Sequence, residues 1–277
     1  MNKLLVRSIG AYLNTLSLVA PTYAARKGFE LFCWPRRIKI KAHQLDFLNS
    51  ADEKFLFEYA TKKVQGYRWG NGPQKVLLLH GWQSHSYWWR YVINAIPKNE
   101  YTVISLDAPG HGLSEGDFLN LVHYSGLIEQ FVAQHGSLDA ILSHSFGSFA
   151  SVYTLHRLPA TPVRKLVVMA APGDVEFFFR YYHALLGLNN RTIQLITDRF
   201  IKTVGHAPPY FKIKEFATTL TLPGLIIHDK EDTETPYENA VAIHDAWKNS
   251  TLLTTTGLGH NLKSKELVAQ VVQYLAK

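Results

Sequence analysis

The segment Ala140-Ile-Leu-Ser-His-Ser-Phe-Gly-Ser-Phe-Ala150 decides which fold this chain is expected to adopt. An apolar run ends in a serine, a histidine and a second serine, Ser145, and a helix-compatible stretch follows over residues 149–158. Strand, sharp turn and helix in this order place Ser145 at the apex of the turn. The flanking residues Ser143 and Gly147 are small, as the close approach of the two backbones requires. Because Ser-x-Gly also occurs in ordinary loops, the interpretation depends on the rest of the chain.

Length and composition bound the class of protein. The chain has 277 residues, of which 47% are hydrophobic and 18% are charged, so it can bury a sizeable core as one large domain or two small ones. Cys33 is the only cysteine, which excludes a disulfide framework and a thiolate metal cluster. No apolar run reaches the roughly 18 residues that a membrane-spanning helix needs.

The basic charge is concentrated at one end of the sequence. Residues 1–41 contain eight basic residues and one acidic residue, which accounts for the whole net charge of +7, and the remainder is balanced. A nucleic-acid-binding protein needs a basic stripe on its folded body. The sequence shows no such stripe, so we predict that the protein does not bind nucleic acid.

The first segment has an amphipathic pattern. Apolar residues recur at alternating spacings of four and three, which predicts one face of a helix that Pro21 ends. These residues are Leu5, Ile9, Tyr12, Leu16, Val19 and Tyr23. We therefore treat residues 1–41 as a basic amphipathic N-terminal arm. Three interpretations remain open: an arm packed on its own domain or on a partner subunit, a helix in weak contact with a membrane surface, or a cleaved signal peptide.

Strand and helix patterns alternate through most of the chain from Lys75 onward. Before them, residues 55–59 and 64–69 indicate an antiparallel hairpin at a sheet edge. Strands that alternate with helices imply βαβ units, and therefore an α/β fold whose mostly parallel central sheet carries helices on both faces. We assign residues 42–277 to this domain.

The alternation stops between Ala171 and Leu222. This stretch is rich in aromatic residues, helical in pattern, and located between two predicted strands. We predict a helical cap, inserted at about residues 172–222, that covers the carboxyl-terminal edge of the sheet. A longer helical crossover is the alternative.

Five short motifs occur along the chain. They are His80-Gly81, Asp107-Ala-Pro-Gly-His-Gly-Leu-Ser114, Ser143-His-Ser-Phe-Gly147, His228-Asp-Lys-Glu-Asp-Thr-Glu-Thr-Pro236 and Gly257-Leu-Gly-His260. In this order and spacing the chain resembles the α/β-hydrolase superfamily from about residue 60 to its end. Ser143 departs from the family pattern, which has glycine there. Residues 31–37 resemble the arm of a bacterial subgroup whose members are known mostly only as hydrolases.

The resemblance supplies the three groups of a nucleophilic serine site in the family's chain order. A serine hydroxyl needs a histidine to accept its proton and a buried carboxylate to orient that histidine. Ser145 is the predicted nucleophile, Asp232 the acid and His260 the base. The family pattern aligns Asp232 with the acid and puts Asp229 where glycine is usual, so Asp229 is expected to hydrogen-bond its own turn.

Two backbone N–H groups form the oxyanion hole in this family, and here they belong to Trp82 and Phe146. His144 is expected to support the turn around the serine. His80 and His85 lack carboxylate or cysteine neighbours in the sequence, so we predict no metal site and no cofactor. Glu231 and Glu234 are interpreted as solvated surface residues, and Trp88 and Trp89 as core residues.

The leading functional prediction is a serine hydrolase that cleaves a carboxylic ester or thioester through an acyl-enzyme. Relatives with aspartate in place of Ser145, such as haloalkane dehalogenases, are excluded. Carbon–carbon bond hydrolases and cofactor-free perhydrolases share the triad and remain alternatives, as does a non-catalytic binding protein on the same scaffold. The aromatic cap favours an apolar or aromatic small-molecule ester. We expect a cytoplasmic protein, with membrane-surface contact through the arm as an option, and the sequence leaves the oligomeric state open.

Overall fold

A computed structural model describes residues 3–277. The chain forms two compact units. The helical unit contains the residues up to Trp34 together with Asp174–Lys212, and the sheet unit contains Pro35–Gly173 and Ile213–Lys277. Each unit therefore consists of two stretches of chain that are far apart in sequence.

Eight strands in the described residues form one sheet. They are β1 (Glu53–Tyr59), β2 (Lys62–Trp69), β3 (Gln74–Leu79), β4 (Tyr101–Leu106), β5 (Leu138–His144), β6 (Val163–Met169), β7 (Gly224–Asp229) and β8 (Ser250–Thr255). Their order is β1-β2-β4-β3-β5-β6-β7-β8, in which β2 pairs antiparallel with β1 and β4 and every other pair is parallel. The predicted edge hairpin and the mostly parallel sheet with helices on both faces are confirmed.

The helices follow in chain order. They are α1 (Lys3–Val19), α2 (Pro21–Phe32), α3 (Ala42–Asn49), α4 (Arg90–Ala95), α5 (Leu121–His135), α6 (Phe146–Arg157), α7 (Val175–Leu186), α8 (Asn190–Val204), α9 (Ile213–Ala217), α10 (Glu238–Ala246) and α11 (Lys265–Ala276). Single 3-10 turns occur at Ser86–Trp89 and Pro208–Tyr210. No helix in residues 3–277 is long and apolar enough to cross a membrane.

The inner strands are apolar on both faces, as parallel strands between two helical layers must be. Residues 76–79 of β3 and 166–169 of β6 are almost completely buried. The order reverses at β3, which lies between β4 and β5. In open α/β sheets, ligand sites form at such a reversal, beyond the carboxyl ends of the strands. The loops that follow β3 and β5 are therefore neighbours at this edge.

The helical unit is held together by close contacts between α1, α2, α7 and α8. Gly10 of α1 lies against the carbonyl group of Leu186, and a Cβ atom at this position would overlap it. The Asn14 side chain donates to the carbonyl oxygen of Gly187 (3.0 Å) and accepts from the N–H of Asn189 (2.9 Å). These contacts fix both the position and the rotation of α1.

One expectation for the arm is confirmed by the structure and another is corrected. The first helix ends before Pro21 as predicted, but Pro21 begins α2, where its missing N–H has no consequence. The helix also buries a different face from the predicted apolar one. The buried residues are Val6, Gly10, Leu13 and Ser17, whereas Leu5, Tyr12 and Val19 are 55%, 57% and 77% exposed. Because α1 is apolar on most of its circumference, the spacing of apolar residues could not identify the buried face.

The unit boundaries also differ from the predicted ones. The predicted arm, residues 1–41, divides at Trp34, and its first part associates with inserted helices, in line with the packed arm among the three interpretations. The predicted insertion at about residues 172–222 supplies α7 and α8 to the helical unit, whereas α9 belongs to the sheet unit.

Candidate active site

The turn between β5 and α6 is strained at its apex. Ser145 has φ 51° and ψ −120°, a conformation that a non-glycine residue adopts only when its surroundings impose it. The Ser145 N–H donates to the carbonyl oxygen of Met169 in β6 (2.8 Å). This bond ties the turn to the sheet and leaves the Ser145 side chain half-buried at the end of β5.

The two residues beside the apex, Ser143 and Gly147, are small for different reasons. A Cβ atom on Gly147 would lie 2.7 Å from the carbonyl oxygens of Leu79 and His80, so only glycine fits. The Ser143 hydroxyl donates to the carbonyl oxygen of Val167 (2.9 Å). The departure from glycine at residue 143 is therefore accommodated by a hydrogen bond within the sheet.

The three residues predicted from the motifs converge on one chain of hydrogen bonds. The Ser145 Oγ lies 3.1 Å from His260 Nε2, and His260 Nδ1 lies 2.8 Å from Asp232 Oδ2. The Asp232 side chain is fully buried, and the His260 side chain is 11% exposed. With the Nδ1 proton donated to the carboxylate, Nε2 is left to accept the proton of the Ser145 hydroxyl.

Two further side chains, which the sequence analysis did not assign, hold the Asp232 carboxylate. The Thr235 hydroxyl donates to Asp232 Oδ2 (2.7 Å) and the Thr235 N–H to Oδ1 (3.0 Å). His228 Nε2 lies 3.2 Å from the same Oδ2 and is completely buried. Burial raises the pKa of Asp232, but the hydrogen bonds from His228, His260 and Thr235 outweigh it and hold the pKa well below its usual range. The carboxyl group is therefore ionised.

Asp229 has a different set of partners. Its carboxylate accepts from the Thr255 hydroxyl (2.7 Å), from the Leu258 N–H (2.9 Å) and from the Glu231 N–H (2.9 Å). It therefore bonds its own turn, as expected, and also fixes the segment that leads to His260. Burial raises the pKa of Asp229, but these hydrogen bonds lower it overall.

His80 orients the peptide group between Gly81 and Trp82. The Ala108 N–H donates to His80 Nε2 (2.9 Å), so the proton is on Nδ1, which donates to the Gly81 carbonyl oxygen (2.7 Å). Because the peptide is planar and trans, holding the carbonyl group also points the Trp82 N–H in the opposite direction. Burial lowers the pKa of His80 to about 3, which keeps it neutral. Gly81 packs directly against Ser145.

The loop after β4 holds the segment that follows this peptide. His111 Nε2 accepts from the Gln83 N–H (3.0 Å), and Asp107 Oδ1 accepts from the Ser86 N–H (2.8 Å). Burial lowers the pKa of His111 to about 3. The role of this loop was not predicted from its sequence. The pairing of β3 with β4 could have indicated this role, because the loops that follow these strands carry the His80-Gly81 motif and the motif that begins at Asp107.

His144 supports the site through His260. Its Nε2–H donates to the His260 carbonyl oxygen (2.8 Å), and its ring stacks on Trp88 with 4.2 Å between centroids. Burial lowers the pKa of His144 to about 3, so the ring is neutral. Trp89 is completely buried in the core, whereas Trp88 is half-buried.

The surroundings of Ser145 combine an aromatic surface with one carboxylate. The half-buried Trp82 ring contacts the Phe146 ring edge to face at 5.5 Å. Phe146 is the first residue of α6, where the helix dipole places partial positive charge. Glu234 is 66% exposed, yet its carboxylate lies 3.8 Å from His260 Nε2, which its assignment to the solvated surface did not anticipate. No group of three His, Cys, Asp or Glu side chains within residues 3–277 is placed to hold a metal ion.

Comparison with known proteins identifies the family. The model of the alpha/beta hydrolase family matches residues 76–251, and the chain belongs to this family. No curated protein sequence matches the chain.

Solved structures share the fold at low sequence identity. The esterase EaEST of Exiguobacterium antarcticum is 17% identical with a TM-score of 0.64, and the match covers 81% of this chain and 100% of that one. The esterase RhEst1 of Rhodococcus sp. ECU1013 is 15% identical with a TM-score of 0.61, over 81% and 98%. Est1E of Butyrivibrio proteoclasticus, solved with ferulic acid bound, is 19% identical with a TM-score of 0.65, over 80% and 97%.

Proposed function

We propose that this hydrolase cleaves a carboxylic ester or thioester through an acyl-enzyme on Ser145. The observation that carries the proposal is the unbroken hydrogen-bond chain from the Ser145 hydroxyl through His260 to the buried, ionised Asp232. A serine hydroxyl becomes an effective nucleophile in this arrangement because the imidazole accepts its proton and the carboxylate stabilises the imidazolium that results.

The proposed reaction has two halves. Ser145 Oγ attacks the carbonyl carbon while its proton passes to His260 Nε2, and the tetrahedral oxyanion is bound by the N–H groups of Trp82 and Phe146. Collapse of this intermediate breaks the bond to the alkoxide or thiolate, which takes the proton from His260. Water then attacks the acyl-enzyme by the same route, which releases the carboxylic acid and restores the Ser145 hydroxyl.

Labelling with a fluorophosphonate probe tests whether the serine is activated, with no assumption about substrate. We expect the wild-type protein to be labelled and Ser145→Ala to lose both labelling and ester hydrolysis, with a fall in kcat of several orders of magnitude. Ser50→Ala is the matched control, because Ser50 is exposed at the end of the short helix α3. This variant is expected to leave labelling unchanged. Retention of more than about a tenth of the turnover by Ser145→Ala would refute the assignment.

The aromatic surface formed by Trp82 and Phe146 supports an apolar or aromatic acyl group as substrate. A panel of p-nitrophenyl esters from acetate to palmitate, with an aromatic acid ester and matched thioesters, measures this preference. We expect kcat/KM to be higher for apolar and aromatic acyl groups than for charged ones of similar size. The ratio of ester to thioester turnover distinguishes the two leaving-group classes.

A further inference from the structure

From Ser8 to Val19, about three turns, the outward face of α1 has no charged residue. The helix is fixed in rotation because Val6, Gly10 and Leu13 are buried and Asn14 bonds the loop between α7 and α8. After Arg7, no charged residue occurs before Arg26. The exposed residues of α1 that carry no charge are Leu4, Leu5, Ser8, Ala11, Tyr12, Thr15, Leu18 and Val19.

Five of these residues are large and apolar, and we call them the apolar stripe; Ser8, Ala11 and Thr15 lie between them on the same face. It consists of Leu4, Leu5, Tyr12, Leu18 and Val19. Leu4, Leu18 and Val19 are 73%, 67% and 77% exposed. A surface helix of a globular protein normally turns polar and charged residues outward, so this stripe lacks the composition of a face meant only for water. Its length is about 25 Å, since each of its residues rises about 1.5 Å.

Basic residues precede and follow the stripe along the chain. Lys3 and Arg7 are exposed in the first turns of α1. Beyond its other end, the Arg26 and Lys27 side chains lie 5.1 and 5.8 Å from the Tyr23 ring. Both also pair with Glu30, at 3.7 and 2.8 Å. Tyrosine flanked by basic residues at the edge of an apolar face is typical of a helix at a membrane interface.

The net charge of the helical unit distinguishes between two binding partners for the apolar stripe, a second copy of this chain and a lipid bilayer. The unit has nine basic and four acidic residues. A second copy of this chain would bring two positively charged faces together, which like-charge repulsion disfavours. An anionic phospholipid bilayer instead offers hydrocarbon for the stripe and negative charge for the basic residues on either side of it.

We propose that α1 binds the surface of an anionic phospholipid bilayer, with the apolar stripe against the acyl chains and Lys3, Arg7, Arg26 and Lys27 against the headgroups. The helix lies along the surface while its opposite face stays packed on α7 and α8. The inference concerns the helical unit alone and does not depend on the reaction proposed for the sheet unit.

Co-sedimentation of the full-length protein with vesicles tests this inference. The vesicles consist of phosphatidylcholine with or without phosphatidylglycerol, at low and at high salt. We expect binding at low salt only when phosphatidylglycerol is present, and about tenfold weaker binding at high salt, because salt screens the headgroup attraction. Absence of binding to the anionic vesicles at low salt would overturn the proposal.

Two double variants separate the apolar and electrostatic contributions. Leu18→Asp with Val19→Asp, and Arg26→Gln with Lys27→Gln, should each weaken binding to anionic vesicles about tenfold or more. Leu56→Asp is the matched control because Leu56 is a 60% exposed apolar residue on β1, and it should bind like wild type. All variants are first checked for an unchanged melting temperature.

The same variants test whether a second copy of this chain binds the apolar stripe instead. Sedimentation velocity without lipid should show a monomer both for wild type and for Leu18→Asp with Val19→Asp. A wild-type dimer that this double variant dissociates would assign the stripe to a second copy and overturn the lipid proposal. Equal vesicle binding by wild type and by the double variant would also overturn it.

Discussion

The sheet unit and the helical unit are built on different kinds of sequence information. In the sheet unit, each candidate site residue lies at or within a few residues of the end of a strand, as Ser145 does after β5 and His260 after β8. Parallel pairing brings those ends to one edge, so local motifs are enough to assemble the site. The helical unit joins α1 and α2 to α7 and α8, which are far away in sequence and share no motif. A site could therefore be predicted from motifs, but the partner of the arm could not.

The sharpest test within the sheet unit compares its two buried aspartates. Asp232→Asn should lower kcat by roughly 10³–10⁴, because an amide presents the wrong partner to His260 Nδ1. Asp229→Asn should lower kcat by less than about tenfold but reduce the unfolding free energy by about 1–3 kcal/mol, since it weakens the bonds to Thr255 and Leu258. Turnover and thermal unfolding of both variants measure the contrast. The reverse ranking in kcat would show that the roles of the two residues are exchanged.

The helical unit is tested by removing residues 1–24. The deletion takes away buried Val6 and Leu13, whose burial contributes about 3–6 kcal/mol to the unfolding free energy. We expect a lower melting temperature and faster hydrogen exchange in α7 and α8, while β3, β5 and β6 keep their protection. Full-length protein with Leu18→Asp and Val19→Asp, which alters exposed residues of the same helix, serves as the control and should keep protection in α7 and α8. Unchanged exchange in α7 and α8 after the deletion would mean that the arm does not stabilise them.

His80 tests whether support from a buried neutral histidine matters for the proposed oxyanion hole. His80→Phe removes the bond to the Gly81 carbonyl group, so the Trp82 N–H loses its fixed direction. We expect kcat to fall about tenfold to hundredfold, less than the 10²–10³ that follows loss of an oxyanion donor itself. Affinity for a boronic acid, which mimics the tetrahedral intermediate, should fall in parallel while KM changes little.

The control for His80 is a histidine that packs without this role. The His135 ring stacks on Phe131 at 4.0 Å, so His135→Phe keeps an aromatic contact at a distance from Ser145. It should leave kcat and boronic acid affinity unchanged. A fall in kcat for His80→Phe without any loss of boronic acid affinity would reduce His80 to a purely structural residue.

The smallest expected effect belongs to Glu234. Its exposed carboxylate, 3.8 Å from His260 Nε2, should favour substrates with a positively charged leaving group. Glu234→Gln is expected to lower kcat/KM for such esters, relative to neutral ones, by about twofold to fivefold, as an exposed charge pair contributes little. Glu231→Gln, an exposed glutamate in the same loop, should leave the ratio unchanged. An unchanged ratio in both variants would remove Glu234 from substrate selection.

The predicted site residues and the residues that hydrogen-bond to them differ in how readily the sequence indicated their roles. Ser145, Asp232 and His260 could be predicted because each is part of a motif at a strand end. Thr235 and His228 lie inside a quoted motif, yet their contact with Asp232 depends on how the loop after β7 folds back on itself. His144 likewise needed the structure, since its partner is a backbone carbonyl group 116 residues away.

By itself the sequence determined the fold class, the order of the strands in the chain and the identity of the three residues in the hydrogen-bond chain. Strands that are apolar on both faces and turns that tolerate only small residues are requirements that appear in the local sequence. Parallel pairing then brings the ends of these strands to one edge of the sheet. Tertiary structure alone decided which face of α1 is buried. Because that helix is apolar on most of its circumference, periodicity allows several faces. The close fit of Gly10 to the Leu186 carbonyl group, a contact between distant segments, selects one and leaves the apolar stripe exposed.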